Sequence, residues 1–160
     1  MKKTQKGLPR AKSRGQSLFE VILAIAVLTL VLVGIVSLAT SSVRNSTFSR
    51  NKTLGSKYAQ EVSEWLRSER DRDRDVFINR ADAIGVEKKY CLQALVWTNL
   101  GECSDNELIA NTPLKRNLTL IKRDKSGKAV IEAKVVVSWQ DAQGEHEARS
   151  YTYFSDWRER

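Results

Sequence analysis

Histidine occurs once in these 160 residues, cysteine twice and proline twice. With His146 alone there is no second imidazole to share a metal. No glycine-rich phosphate loop, Cys/His metal cluster or nucleophile–base–acid spacing stands out either. The composition therefore predicts no enzyme and no cofactor. Proline is missing from Gly15 through Arg72, so nothing along that stretch is bound to break a helix. Acidic residues are missing from 1–15, where Lys2, Lys3, Lys6, Arg10, Lys12 and Arg14 supply six of the eight net positive charges. Only +2 remains for residues 16–160. A phosphate-seeking surface needs basic charge gathered on a folded face, so nucleic acid is not a supported partner.

The positive tail precedes a hydrophobic run. Residues 21–39 are apolar except for Thr29, Gly34 and Ser37, and with Leu18 and Phe19 they reach about the 20 residues needed to cross a bilayer core. A soluble core helix is seldom apolar on every face for that length. A cleaved secretory signal is the alternative, with Ser37-Leu38-Ala39 as the nearest small-x-small site. Six cations before the span, against Arg44, Arg50, Lys52 and Lys57 after it, orient the N-terminus to the cytoplasm.

Beyond the span, Leu54, Tyr58, Val62, Trp65 and Leu66 recur at helical spacing as one apolar stripe. A single helix over 17–72 would extend roughly 80 Å at 1.5 Å per residue. Polar residues 41–56 are the place where it could instead be interrupted. Further on the period changes to two: Ile131, Ala133, Val135, Val137 and Trp139 alternate with Glu132, Lys134, Val136, Ser138 and Gln140. Segments 118–123 and 148–154 read as neighbouring strands. Asp124-Lys-Ser-Gly127 and Asp141-Ala-Gln-Gly144 supply the turns of a three-stranded antiparallel meander running out to Trp157. The expected fold is α+β, a long N-terminal helix packed on a small C-terminal antiparallel sheet, each burying the other's apolar face. Its divisions are a basic leader (1–15), a transmembrane helix (16–40), an amphipathic continuation (41–74) and an extracytoplasmic domain (75–160). Residues 75–113 read as irregular and carry Cys91 and Cys103. In an exported chain that pair favours a disulfide; in a cytosolic one it would be two thiols.

The stretch Arg14-Gly15-Gln16-Ser17-Leu18-Phe19-Glu20-Val21 places a carboxylate at the mouth of the membrane helix. An unpaired acid in hydrocarbon costs about 2–3 kcal/mol even on lenient scales, so something should compensate Glu20. One answer is local: Ser17-x-x-Glu20 has the form of a capping box at a positive helix end. The other is a cation on a neighbouring molecule.

Gly15-Gln-Ser-Leu-Phe-Glu20 before a membrane span resembles the cleavage and N-methylation motif of type IV prepilins. In that family Phe commonly follows the glycine; here Gln16 does. The helix-kinking proline of major pilins is also absent. Tyr58-Ala-Gln-Glu-Val-Ser-Glu-Trp-Leu-Arg and the closing Val-Val-Val-Ser-Trp139…Tyr-Thr-Tyr-Phe-Ser-Asp-Trp157 are similar to the second helical half and last strands of PilV-like minor pilins. The resemblance implies that prepilin peptidase cuts after Gly15 and methylates the new amine of Gln16. It also implies that Glu20 neutralises a neighbour's terminal amine during assembly on an inner-membrane platform. The partners would be other pilin subunits. The rival function is a signal-anchored, single-pass extracellular binding domain that does not polymerise.

Three weaker patterns remain. Asp71, Asp73, Asp75 and Asp82 faintly match a calcium loop, but Val76 stands where that loop needs glycine. His146 reads as a surface strand residue beside a turn. Asn45, Asn51 and Asn117 head N-glycosylation triplets, which arise readily by chance.

Overall fold

The computed structural model describes residues 18–97, 99–125 and 127–155. The chain divides into two compact units, Met1–Asn45 and Ser46–Arg160. Helix α1 is Leu18–Arg72, so the polar stretch 41–56 is helical. Arg70 and Arg72 lie in its last turn, where cations offset the negative end of the helix dipole. In the first unit every described residue of α1 is exposed.

In the second unit α1 buries Gly55, Ala59, Val62, Ser63 and Leu66. Their spacing of three and four puts them on one face. The large residues of the expected stripe, Leu54, Tyr58 and Trp65, flank this line and are only partly buried. Small residues hold the centre because the sheet comes close: a Cβ on Gly55 would lie 3.2 Å from both Ala148 Cβ and Trp139 Cζ3.

A short helix α2, Arg74–Asn79, follows, capped by Asp73, whose side chain accepts from the Val76 amide at 3.0 Å. It brings Phe77 into the core against Phe154, with ring centroids 5.2 Å apart. The sheet has strands β1 (Glu87–Cys91), β2 (Asn99–Leu100), β3 (Leu114–Lys125), β4 (Lys128–Asp141) and β5 (Gly144–Phe154). They lie in the order β2-β1-β3-β4-β5, and every neighbouring pair is antiparallel.

The meander of β3, β4 and β5 is the expected one, with longer strands. The Asp124 side chain accepts from Gly127 N at 2.9 Å and the Asp141 side chain from Gln143 N at 2.8 Å, fixing the two turns. Gly127 and Gly144 adopt the positive φ that those turns require. Leu118 faces Val135, Leu120 faces Ala133, and Ile131 faces Phe154, all on the helix-covered side. Residues 75–113 depart from expectation: they add α2 and two strands, making five strands instead of three. Trp157 lies outside the described residues.

Candidate functional site

Among its described residues the first unit is a helix with no buried side chain. Its most apolar 18-residue window has a mean hydropathy of 3.1 and none of it is buried, which separates it from the core helix of a soluble protein. Exposed large side chains occur all around it, among them Phe19, Ile22, Ile25, Leu28, Val31, Ile35 and Leu38. Helical periodicity spreads these residues over the full circumference, so no single face accounts for them. The helix is long and apolar enough to cross a membrane, and such a surface is stable in lipid or against other apolar helices. Ser37-Leu38-Ala39 is part of the continuous helix.

Glu20 sits in the first turn of α1, where a negative charge is favoured by the helix dipole. It has no side-chain partner among the described residues. It is also the only acid in the first 60 residues of the chain. The next cation along the helix is Arg44, 24 residues on and about 36 Å away at the helical rise. The two cannot meet within one molecule. Gly15 and Gln16, the expected cleavage pair, lie outside the described residues, as does Ser17 of the capping box.

Cys91 and Cys103 are joined in a disulfide. Closing a loop of this length stabilises the fold by about 3 kcal/mol on a chain-entropy argument. Cys91 ends β1 and is buried; Cys103 is half-buried, and its amide donates to the Asn117 side chain at 2.8 Å. The loop so closed carries Trp97, whose indole N–H donates to Glu69 on α1 at 2.6 Å.

Two constellations escaped the sequence reading. Arg116, in the middle of an otherwise apolar inner row of β3, is buried and ion-paired to Glu61 at 3.0 Å. The alternation of β3 could have flagged it, because Arg116 occupies the same face as Leu114, Leu118 and Leu120. Trp97 had no periodic context, and only its proximity to the cysteines set it apart.

Asp73 caps α2 and Asp71 pairs with Arg70, so the aspartates do not converge. Among the described residues no group of three or more His, Cys, Asp or Glu side chains could hold a metal ion. His146 is half-buried and not a free surface residue: its Nε2 lies 2.9 Å from Asp141, and its ring meets Phe48 edge-on at 5.0 Å. A polar strand residue next to a turn gives no hint that an aromatic from α1 will cover it. Of the asparagines, Asn45 is exposed, while Asn51 and Asn117 are half-buried.

No protein-family model, curated protein or solved structure matches this chain.

Proposed function

We propose that this chain is a structural subunit of a type IV pilus-like filament, of the minor-pilin or pseudopilin kind. The observation that carries the reading is the pairing of a fully exposed apolar helix with one carboxylate, Glu20, that no described residue of the same molecule neutralises. A helix apolar on every side needs lipid or like helices around it, and a lone acid at its mouth needs a cation from elsewhere.

The resemblance of Gly15-Gln-Ser-Leu-Phe-Glu20 to the prepilin motif supplies both. Prepilin peptidase cuts after Gly15, and the new amine of Gln16, methylated by the same enzyme, becomes the counter-charge for Glu20 of an adjacent copy. Before cutting, the chain waits in the inner membrane with its basic tail in the cytoplasm. After cutting it enters an extracellular or periplasmic filament built on the membrane assembly platform. Lipid tails and apolar side chains are similar surroundings, so helix packing alone gives little net drive between the two states. The Glu20 pair therefore sets axial register and contributes affinity.

The test is Glu20→Ala in cells that assemble the filament. Processing should be normal, because the cut lies upstream. Incorporation should fall roughly 30- to 150-fold, which corresponds to leaving one charge uncompensated at about 2–3 kcal/mol. Undiminished incorporation of the variant reduces Glu20 to a helix cap, and a parent chain that enters no filament overturns the reading.

A further inference from the structure

The disulfide loop does more than close a ring. Among the described residues between Cys91 and Cys103, Asn99 and Leu100 of β2 are the ones in a strand. β2 contributes two paired residues, Tyr90 facing Leu100 and Cys91 facing Asn99, and Gly101 N donates to Lys89 O at 2.8 Å. Trp97 projects from this loop to the last turns of α1. Its ring lies 4.5 Å from that of Trp65, and its N–H is bonded to Glu69. Tyr90 meets the same indole edge-on at 5.2 Å, and the Arg80 guanidinium lies 5.2 Å over it. Glu69 is only 13% exposed and also pairs with Arg72, the final residue of α1. One aromatic side chain thus ties the loop to three elements around the helix end.

We propose that Cys91–Cys103 is a redox latch for the C-terminal end of α1. Oxidised, it holds the loop so that Trp97 clamps Trp65 and Glu69. Reduced, the loop gains freedom, Trp97 leaves, and the final turns of α1 loosen while β3, β4 and β5 stay folded. The localisation follows from where the core lies. Leu118, Leu120, Val135, Val137 and Trp139 come from the paired strands β3 and β4, whereas the loop adds to the same core only Leu92, with Leu95 and Trp97 packed at its margin. Cytosolic conditions keep such a pair reduced and exported compartments oxidise it, so the clamp closes only outside the cytoplasm.

The chemistry balances as thiol–disulfide exchange with a dithiol. A thiolate attacks Sγ of Cys103, the more exposed partner, and the S–S bond breaks with its electron pair on Cys91 Sγ, which takes up a proton. The second thiol then displaces Cys103, which is protonated in turn. The protein has gained two electrons and two protons, and the reagent has become a cyclic disulfide.

Hydrogen exchange on the full-length chain in detergent micelles tests this, with and without dithiothreitol and beside an oxidised Trp97→Ala variant. On reduction, peptides covering 64–72 should accelerate by about tenfold or more beyond whatever uniform change the loss of the cross-link brings to β3, β4 and β5. Trp97→Ala should reproduce the acceleration at 64–72 with its disulfide intact. Unchanged exchange at 64–72 in either sample overturns the latch. So does an equal acceleration throughout β3–β5, which would make the disulfide a staple for the whole domain. These outcomes bear on the latch alone and leave the filament reading standing.

Discussion

Arg116 on β3 and Glu61 on α1 form an ion pair whose halves live in different surroundings: Arg116 is 3% exposed, while the Glu61 side chain is 48% exposed. Arg116 also donates from Nε to the Leu92 carbonyl at 2.9 Å, and its guanidinium lies 5.8 Å from the Tyr58 ring centroid. Burial pulls its pKa below the ordinary arginine range, and Glu61 opposes that pull. The two ends of the pair should therefore respond unequally to substitution. Glu61→Ala strands a buried cation and should cost about 1–3 kcal/mol, below the usual buried-pair figure because Glu61 is half in water. Arg116→Met removes the charge and fills its volume but takes the donor from the buried Leu92 carbonyl, so it should cost about 1 kcal/mol, less than Glu61→Ala. Unfolding of the full chain in detergent, followed by near-ultraviolet dichroism, ranks the two; the reverse order contradicts this picture.

Gly55 is where α1 comes closest to the sheet, against Ala148, Trp139 and Leu114. Glycine inside a helix costs about 1 kcal/mol relative to alanine, so its presence reflects a need for space. Gly55→Leu cannot be accommodated between Ala148 and Trp139 without moving the helix. It should destabilise the second unit by about 1–3 kcal/mol and shift Trp139 fluorescence. Unaltered stability would contradict the close approach of α1 to the sheet at Gly55.

Tyr90 is buried with its hydroxyl donated to the Arg80 carbonyl at 2.5 Å. Burial raises its pKa, with Asp82 assisting and Arg80 opposing. The folded state therefore holds the phenolic proton more tightly than the unfolded chain does. Its contribution to stability is complete below about pH 10 and fades as pH rises through the raised folded-state value. Tyr90→Phe should cost about 1 kcal/mol at neutral pH through the lost hydrogen bond, yet lose less on going to about pH 11. An alkaline stability profile identical to the parent's contradicts the assignment.

Periodicity made much of this fold legible. Helix α1 was legible over its apolar run and its amphipathic stripe, with no proline to break it, while polar residues 41–56 left its continuity open; β4 was legible because its period of two persists from Ile131 to Trp139. What stayed hidden depended on contacts distant in sequence. Glu87-Lys-Lys-Tyr-Cys91 has no apolar alternation, and it forms β1 because its backbone pairs with β3. The expected stripe did not include Gly55, Ala59 and Ser63, which are buried because the close helix–sheet approach leaves room only for small side chains. The Trp97–Glu69 bond joins positions 28 apart and follows from no local rule. At the candidate site, Glu20 was legible as an isolated charge beside an apolar run, whereas its partner belongs by this account to another molecule.

The most direct measurement is the N-terminal sequence of the protein recovered from membranes of cells with an active prepilin peptidase, checked by a known prepilin in the same cells. The account predicts a chain beginning at Gln16, about 15 residues shorter than the translated product, and absent when the peptidase is inactive. A chain still beginning at Met1, while the control prepilin is fully cut, would contradict it.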